Sequence, residues 1–393
     1  MPLRKRFPLA VVSLLLAGAL YLPCVHLVFR PAASDLVAET GVAPLPAKLA
    51  AHQMRAWADR QILEADLAKM RPINAEWDLM GRSFLVWALG NMALRDAAQM
   101  PQALDVMDGV LDETLRLERQ NGMYFFLMPY ARGKPWVQQP ARSLFLDGEI
   151  ALMLAVRCVV QPKPQYLDEL GRRVEQMVRR MEASPSLSAE SYPDECWTFC
   201  NTTALAAVRV SDYLLGTDHS TLVARWVEHA KTNLIDPATG LLISAYTLDG
   251  RMIYPPEGSS IWHVSHCLFL LDESFGRQQY ELAKQHLASE AMGFGFAREW
   301  PAQHRGRMDV DSGLVVPGLD ASAASSGLAF VAAGTYGDMD FLRRLATTLT
   351  FAAFPVEHDG ALQYEAGNRV GDAVILYGLT VGPVWQKVKR GRP

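Results

Sequence analysis

One short stretch of this chain, residues 191–200, combines acidic side chains with two thiols. Asp194 and the glutamate after it follow a proline, and Cys196 and Cys200 are four residues apart. Proline disfavours the helical conformation in the residue before it, which predicts that a helix begins close to the two carboxylates. A carboxylate at that place either caps the helix or, at the mouth of a cavity, takes part in acid/base chemistry.

A second acidic position interrupts an apolar segment, where Asp147 and Glu149 stand between Leu144 and Leu154. A carboxyl on an inward-facing helix must be paired, hydrated or protonated, because burial disfavours its charge. A raised pKa would suit Glu149 to act as a general acid toward a departing hydroxyl or a glycosidic oxygen. A salt bridge at a helix end is the alternative.

Two further groups have spacings that occur in metal sites. His263 and His266 are three residues apart, but no Glu-x-x-His frame accompanies them, so we expect cavity-lining or packing roles. Asp309 and Asp311 lie in a segment rich in Gly and Pro that lacks the remaining ligands of a calcium loop. We therefore predict no metal, and a rim loop in which Asp311 faces substrate.

The motifs of phosphate loops, dinucleotide-binding turns and nucleophile elbows are absent from the sequence, which favours cofactor-free acid/base chemistry. The net charge of −4, without a basic stripe, excludes nucleic acid as an expected partner. Four cysteines follow the N-terminal apolar run, an even number that leaves disulfides open. Aromatic side chains are candidates for the wall of an apolar or sugar-binding cleft: Tyr192, Trp197 and Tyr246.

These residues require a helical framework. Apolar residues recur every three or four positions over residues 48–393, which predicts twelve helices in six consecutive pairs and hence an all-α (α/α)6 barrel. The pairs are about 48–70 with 76–99, 101–119 with 141–160, 165–183 with 200–215, 219–234 with 259–273, 276–297 with 319–335, and 338–353 with 371–388. Short strands are expected at 123–128 and in a hairpin that turns at Asp249-Gly250.

The N-terminal region, residues 1–30, reads as a membrane anchor or a signal segment. Three basic residues precede an apolar run from Phe7 to Phe29 that is long enough to cross a bilayer with the charged end in the cytoplasm. Cleavage after Ala17-Gly18-Ala19 is the alternative, with secretion to the periplasm. In both cases we expect the barrel to be exported, and residues 31–47 to form a linker.

The order and spacing of the sequence motifs from Pro193 onward resemble those of the linalool dehydratase/isomerase family. The acidic, cysteine-bearing turn is followed by Gly216-Thr217-Asp218, by Asp236-Pro237-Ala238-Thr239-Gly240 and by the hairpin near Tyr254, and the resemblance resumes at Leu362–Glu365 and Asp372. It implies an (α/α)6 barrel, an exported cofactor-free protein, and reversible dehydration and isomerisation of a monoterpene alcohol. The family's ring assembly implies that a homo-oligomer is possible.

Carried over by position, the resemblance implies a site with several replacements. Cys200 stands where the family has one of two active-site cysteines, and Ser191 stands where it has the other. Glu149 replaces a histidine, Arg82 replaces a tyrosine, and Ser259 replaces a tyrosine on the substrate-binding wall. The resemblance implies that the thiol of Cys200 helps to transfer a proton near the alkenol, as the corresponding thiol does in the family.

Three hypotheses follow. The first is a lyase or isomerase acting on an alkenol or related small alcohol, in which Glu149 donates a proton to the hydroxyl, Cys200 or Asp194 accepts one from the adjacent carbon, and Arg82 orients the acid. The second is a glycoside hydrolase or polysaccharide lyase, which requires two opposed carboxyls. The third is a membrane-tethered binding protein without turnover. The residues expected to contact substrate are Ser191, Tyr192, Asp147, Cys196, Trp197, Tyr246, Ser259, His263 and Asp311.

Overall fold

A computed structural model describes residues 3–306, 308 and 312–391; Asp309 and Asp311 lie outside these. The α-helices of the described residues are α1 Leu3–Tyr21, α2 His26–Phe29, α3 Ala33–Leu36, α4 Pro44–Ala58, α5 Arg60–Met70, α6 Glu76–Arg95, α7 Met100–Asn121, α8 Leu144–Val160, α9 Pro164–Glu182, α10 Thr198–Leu215, α11 Ser220–Asn233, α12 Gly258–Leu271, α13 Glu273–Leu287, α14 Ala323–Tyr336, α15 Met339–Ala352, α16 Arg369–Thr380 and α17 Pro383–Arg390. Short 3-10 helices span Leu22–Cys24, Met123–Phe125 and Pro129–Arg132.

The strands are short. In the described residues they are β1 Cys196–Trp197, β2 Ala245–Tyr246, β3 Met252–Tyr254, β4 Ala288–Ala291, β5 Phe294–Ala297, β6 Val315–Val316, β7 Ala321–Ser322, β8 Pro355–His358 and β9 Ala361–Tyr364. All pairings between them are antiparallel, in the order β1-β2-β3, β4-β5, β6-β7 and β8-β9.

Six helices form a closed inner ring in the described part of the chain: α6, α8, α10, α12, α14 and α16 each pack on the next, and α16 returns to α6. The helices α4, α7, α9, α11, α13 and α15 pack around this ring. The predicted (α/α)6 barrel is thereby confirmed. The inner helices are buried on nearly all sides, as in α8, where Val160 is the one residue with partial exposure. Such burial requires apolar or small residues: a Cβ on Gly378 of α16 would lie 2.7 Å from the backbone of Phe330 in α14.

Several predicted boundaries differ from the structure. The helix predicted over 276–297 ends at Leu287, because Ala288 adopts an extended conformation with ψ of 141° and begins β4. Met292 and Gly293, with positive φ of 49° and 83°, then close the two-residue β4-β5 hairpin. The segment predicted as a strand at 123–128 contains a 3-10 turn instead. The Phe126 N–H donates to the Met123 carbonyl within this turn and not to a neighbouring strand. The hairpin predicted around Asp249-Gly250 is confirmed by the pairing of β2 with β3.

One end of the barrel carries most of these strands. β1 directly precedes α10, and β3, β7 and β9 lie shortly before α12, α14 and α16. The inner helices therefore begin at this end, and we call it the strand-bearing rim. The free N–H groups of their first turns converge there.

The N-terminal segment contains one stretch, Ala10–Leu36, that is helical and apolar enough to cross a membrane. Its end packs on the barrel: the ring of His26 lies against Gly293, and Leu36 is completely buried. The Arg343 guanidinium donates to the carbonyl of Pro31 at 3.2 Å. Residues 31–47, predicted as a linker, thus contact the outer surface of the barrel.

Candidate functional site

A cavity of about 1100 Å³ opens at the strand-bearing rim. Each inner helix contributes to its wall, by residues that include Trp77, Phe145, Phe199, Ser260, Phe330 and Ile375. The lining is mainly apolar and aromatic, and its charged groups lie on α5, at the start of α6 and in the segment from β9 into α16: Asp66, Lys69, Glu76, Glu365, Arg369 and Asp372. A large, mainly apolar cavity that also carries polar groups is typical of a site for a small organic molecule.

Asp372 is the buried carboxylate of this wall. It lies in the first turn of α16 and is 4% exposed, beside the backbone of Tyr364 and near Arg369. Burial raises the pKa of Asp372 to about 7, against the opposing effects of the Tyr364 N–H and the Arg369 charge. Near neutral pH this carboxyl can therefore either donate or accept a proton.

Arg369 is held away from a full ion pair with Asp372. Its guanidinium binds Asp66 at 2.7 Å and the side-chain carbonyl of Gln53 at 3.2 Å. Tyr364 also lines the cavity, and burial together with the neighbouring Asp372 raises the pKa of its phenol. Tyr364 is therefore a neutral hydrogen-bonding group beside the carboxyl.

Cys200 is the predicted catalytic residue that lines the cavity. It occupies the first turn of α10 and is 7% exposed, while Cys196 is completely buried in β1. Burial and the nearby Glu190 raise the pKa of Cys196 well above its ordinary value, so its thiol stays protonated. None of the cysteines of the described residues forms a disulfide, and Cys200 is the one that faces the cavity.

Phe199 forms part of the cavity floor. Its ring stacks on the imidazole of His263 with 4.1 Å between centroids. The Nε2 atom of His263 lies 2.9 Å from the Thr203 hydroxyl and 3.3 Å from the Cys267 sulfur. Burial lowers the pKa of His263 well below its ordinary value, so the imidazole is neutral. His263, predicted to contact substrate, therefore lies beneath the floor.

Glu149 also lies beneath the floor, one helical turn deeper than Phe145 on α8. It is 1% exposed, and neither carboxylate oxygen has a hydrogen-bond partner of good geometry among the described residues. The nearby Ser83 hydroxyl donates to the Leu79 carbonyl instead. Burial raises the pKa of Glu149 to about 8, with a smaller opposing effect from Ser83. In this structure the protonated Glu149 does not reach the cavity.

Two predicted aromatic residues line the cavity. The Tyr192 hydroxyl donates to the Glu76 carboxylate and accepts from the Met128 N–H at 2.9 Å. Trp197 stacks on Tyr254 with 5.5 Å between ring centroids. Both residues form part of the wall.

Ser259 lines the cavity at the start of α12, and Glu299 holds it there. The backbone N–H of Ser259 donates to the Glu299 carboxylate at 3.1 Å, and the hydroxyl donates to the same oxygen. The Ser322 hydroxyl donates to the other oxygen of Glu299 at 2.8 Å. Glu299, which sequence reasoning did not select, thus fixes two loops of the rim.

Asp194 does not cap α10, because the strand β1 intervenes between them. Asp194 adopts a left-handed conformation with φ of 50° in the turn closed by Tyr192 and Glu195. Its N–H donates to Glu190 at 2.6 Å, and it is absent from the cavity wall.

Arg82 and Asp147 lie on the outer side of the inner ring, between inner and outer helices. Arg82 binds Asp78 at 2.7 Å and lies over the ring of Trp57, so it does not orient Glu149. Asp147 binds the guanidinium of Arg173 at 2.8 Å and that of Arg142. Both satisfy buried ion pairs.

Ser191 and Tyr246 are completely buried and absent from the cavity wall. The Ser191 hydroxyl accepts from the Trp197 N–H at 3.3 Å, which fixes the turn before α10. The Tyr246 hydroxyl lies 2.7 Å from that of Ser188. Of the predicted set, the structure brings together in the cavity Cys200, Tyr192, Trp197 and Ser259.

Sequence reasoning did not select Asp372 as a site residue. A signal was present, because this aspartate stands among Val370, Gly371, Ala373 and Val374, as Glu149 does in its own apolar helix. Position along the helix does not distinguish them, because Ile375 and Phe330 lie further along their helices than Glu149 does along α8 and still line the cavity. The distinction is one of direction, since Asp372 faces the cavity and Glu149 does not.

Comparisons with known proteins give one family and several solved structures. The model of a family described as linalool dehydratase/isomerase matches residues 154–370, more than half of the chain. No curated protein sequence matches. A GH76 α-mannanase of Bacteroides thetaiotaomicron has a TM-score of 0.47 at 10% identity, over 79% of this chain and 87% of that chain. The GH76A α-1,6-mannanase of Salegentibacter sp. HEL1_6 has a TM-score of 0.47 at 11% identity, over 78% and 88%.

Proposed function

This chain belongs to the linalool dehydratase/isomerase family, and on that premise we propose that it dehydrates or isomerises an apolar alcohol, such as an alkenol, in the cavity at the strand-bearing rim. The observation that carries the proposal is the buried carboxyl of Asp372 in the mainly apolar wall of the cavity. In this proposal the acid and the base are both residues that line the cavity.

Asp372 acts as the general acid. With a pKa raised to about 7, a large fraction of the carboxyl is protonated at neutral pH. It transfers its proton to the hydroxyl of the alcohol, the C–O bond breaks, and water leaves. The reverse step, hydration of the alkene, returns the proton to the carboxylate, so the same group supports isomerisation through a dehydrated intermediate.

Cys200 is our proposed base. Its sulfur lies in the first turn of α10, where free N–H groups favour negative charge. The thiolate accepts the proton from the carbon next to the breaking C–O bond, and the electron pair of that C–H bond forms the new C=C bond. The proton returns from Cys200 to Asp372 by way of solvent, which closes the cycle.

The character of the wall favours an alcohol over a sugar. A glycoside hydrolase or polysaccharide lyase remains the alternative, and it requires a second carboxyl that faces Asp372. The acids that line the cavity besides Asp372 are Asp66, Glu76 and Glu365. Of these, Asp66 is bound by Arg369, Glu76 accepts from Tyr192, and Glu365 is exposed at the rim.

We further propose that the N-terminal segment remains uncleaved and that its first helix, α1, anchors the barrel on the exported side of a membrane, while residues 26–36 pack on the barrel. Basic residues at positions 4–6 would stay in the cytoplasm. The apolar residues after Ala19 are largely exposed, Leu20 by 70% and Tyr21 by 73%, and a bilayer would cover them. The mass of the purified mature protein tests this, because cleavage would remove the first nineteen residues.

The function is tested by incubating the full chain with monoterpene alcohols, short alkenols and oligosaccharides, without added cofactor, and separating the products by chromatography. Alkene or isomerised alcohol supports the proposal. Cleaved oligosaccharide would support the glycosidase alternative, and tight binding without product would support a membrane-tethered binding protein.

A further inference from the structure

Six large apolar residues are exposed on segments that line the cavity, each of them a lining residue or within three positions of one in the chain. We call this group the apolar rim and define it as Met292, Leu314, Val316, Leu319, Phe351 and Phe354. Leu314 is 68% exposed and Phe354 66% exposed. Exposed apolar residues in such a group mark an interaction surface.

The apolar rim is continuous with the cavity. Leu314 and Val316 belong to the cavity wall as well as to the exposed surface. Ala352 and Ala353, which lie between Phe351 and Phe354 in the chain, also line the cavity. A ligand that leaves the cavity on this side therefore passes over apolar side chains.

The apolar rim is also continuous with the N-terminal helical segment. The ring of Phe29 packs on that of Phe351 with 5.0 Å between centroids, and Phe351 packs on Phe294 at the same distance. Gly295 and Phe296, which follow Phe294 in β5, line the cavity. Two ring contacts thus connect the end of the apolar stretch Ala10–Leu36 to the cavity wall.

The backbone at Phe354 displays its ring outward at a conformational cost. Its φ is 51°, in the left-handed region that a bulky residue rarely adopts. The Phe354 carbonyl accepts from the Glu365 N–H at 3.2 Å, which holds the turn in place. Strained residues of this kind occur preferentially at functional surfaces.

We propose that the apolar rim rests on the lipid bilayer that holds the N-terminal helix, and that the cavity opens to the lipid phase, so that its substrate enters from the membrane. Entry of the substrate from the membrane rests on the proposed function and narrows the substrate to an alcohol that partitions into lipid. The bilayer is the occupant because Phe29, which packs on Phe351 of the apolar rim, follows α1, the helix that spans the bilayer in this proposal, by only eight residues.

Photochemical crosslinking of the full chain in phosphatidylcholine nanodiscs tests the proposal without requiring turnover. p-Benzoylphenylalanine is placed singly at Phe354, at Leu314 and, as a matched control, at Leu215, an exposed apolar residue at the end of α10. Each sample is illuminated, and its adducts are identified by mass spectrometry. The aromatic replacement at Phe354 keeps the side-chain character, and a melting curve for each variant confirms folding.

We expect lipid adducts at Phe354 and Leu314, and none above the dark control at Leu215. Lipid adducts at Phe354 alone would overturn entry from the membrane. Adducts to a second copy of the chain at Phe354, or no adducts there, would overturn the membrane contact itself. Because lipid capture is independent of Asp372, this result stands apart from the outcome of the activity assay.

Discussion

The phenyl ring of Phe199 stacks on the imidazole of His263 at 4.1 Å between centroids, and the same phenyl ring lines the cavity. One aromatic layer therefore separates the cavity from the buried polar cluster of His263, Cys267 and Glu149. This arrangement decides which acidic residue can meet a substrate. Asp372 lies above the layer and Glu149 below it.

Phe199→Ala should open the floor. Loss of a buried phenyl ring is expected to lower the free energy of unfolding by about 3–5 kcal/mol. Diethylpyrocarbonate should then modify His263, which burial and stacking protect in the wild type. Phe296→Ala is the matched control, because Phe296 lines the cavity. Equal protection of His263 in both variants would contradict the role assigned to Phe199.

Glu149→Gln should change how stability depends on pH. The carboxyl has a pKa of about 8 when folded and near 4.5 when exposed, so between these values the folded state holds a proton that the unfolded state has lost. As pH rises through this window, the wild type should lose stability relative to the Gln variant by about 1.4 kcal/mol per pH unit. The relative loss should level off above about pH 8.

Urea unfolding of both proteins at several pH values measures this difference. A constant difference between pH 5 and pH 8 would show that Glu149 is not protonated in the fold. Turnover by the Gln variant should stay close to that of the wild type, since Glu149 lies outside the cavity wall.

Asp147→Ala should lower the stability of the fold and leave substrate binding unchanged. The carboxylate pairs with Arg173, which is 2% exposed, and with Arg142. Removal of one partner from such a buried pair is expected to cost about 3–5 kcal/mol. Thermal unfolding measures this cost, and Glu175→Ala, at an exposed ion pair, should change the melting point little. A raised KM in Asp147→Ala at full stability would contradict the assignment.

The architecture could be predicted from the sequence, because the three- and four-residue spacing of apolar residues determines which faces are buried. Helix boundaries were missed where a short hairpin replaces the end of a helix that the apolar pattern continues, as in residues 288–297 with positive φ at Met292 and Gly293. Residue type selected Tyr192 and Trp197, and the family resemblance selected Cys200; all three line the cavity. It could not give depth or direction along an inner helix.

Two residues show why. Glu149 and Asp372 both interrupt apolar helices, and which of the two carboxyls faces the cavity depends on how each helix is rotated in the packed ring. Arg82 and Asp147 face outward to partners on neighbouring helices, such as Asp78 and Arg173, and these pairings require the packed ring.

The thiols should differ in reactivity. Cys200 lines the cavity, whereas burial raises the pKa values of Cys196 and Cys267 and removes them from solvent. Iodoacetamide labelling followed by peptide mass spectrometry should therefore modify Cys200 well before these two. An apolar alcohol bound in the cavity should slow the labelling of Cys200. Labelling of Cys196 as fast as Cys200 would contradict the geometry.

The central claim is that Asp372 is the acid of the site. It is tested most directly by comparing the turnover of Asp372→Asn with that of Glu365→Gln, which replaces a carboxyl by an amide at the exposed part of the same wall. Loss of a general acid is expected to lower kcat about 10²–10⁴-fold in Asp372→Asn. The Glu365→Gln variant should keep the wild-type rate, and its kcat should fall as pH rises through about 7, where Asp372 loses its proton. Full turnover by Asp372→Asn would contradict the account.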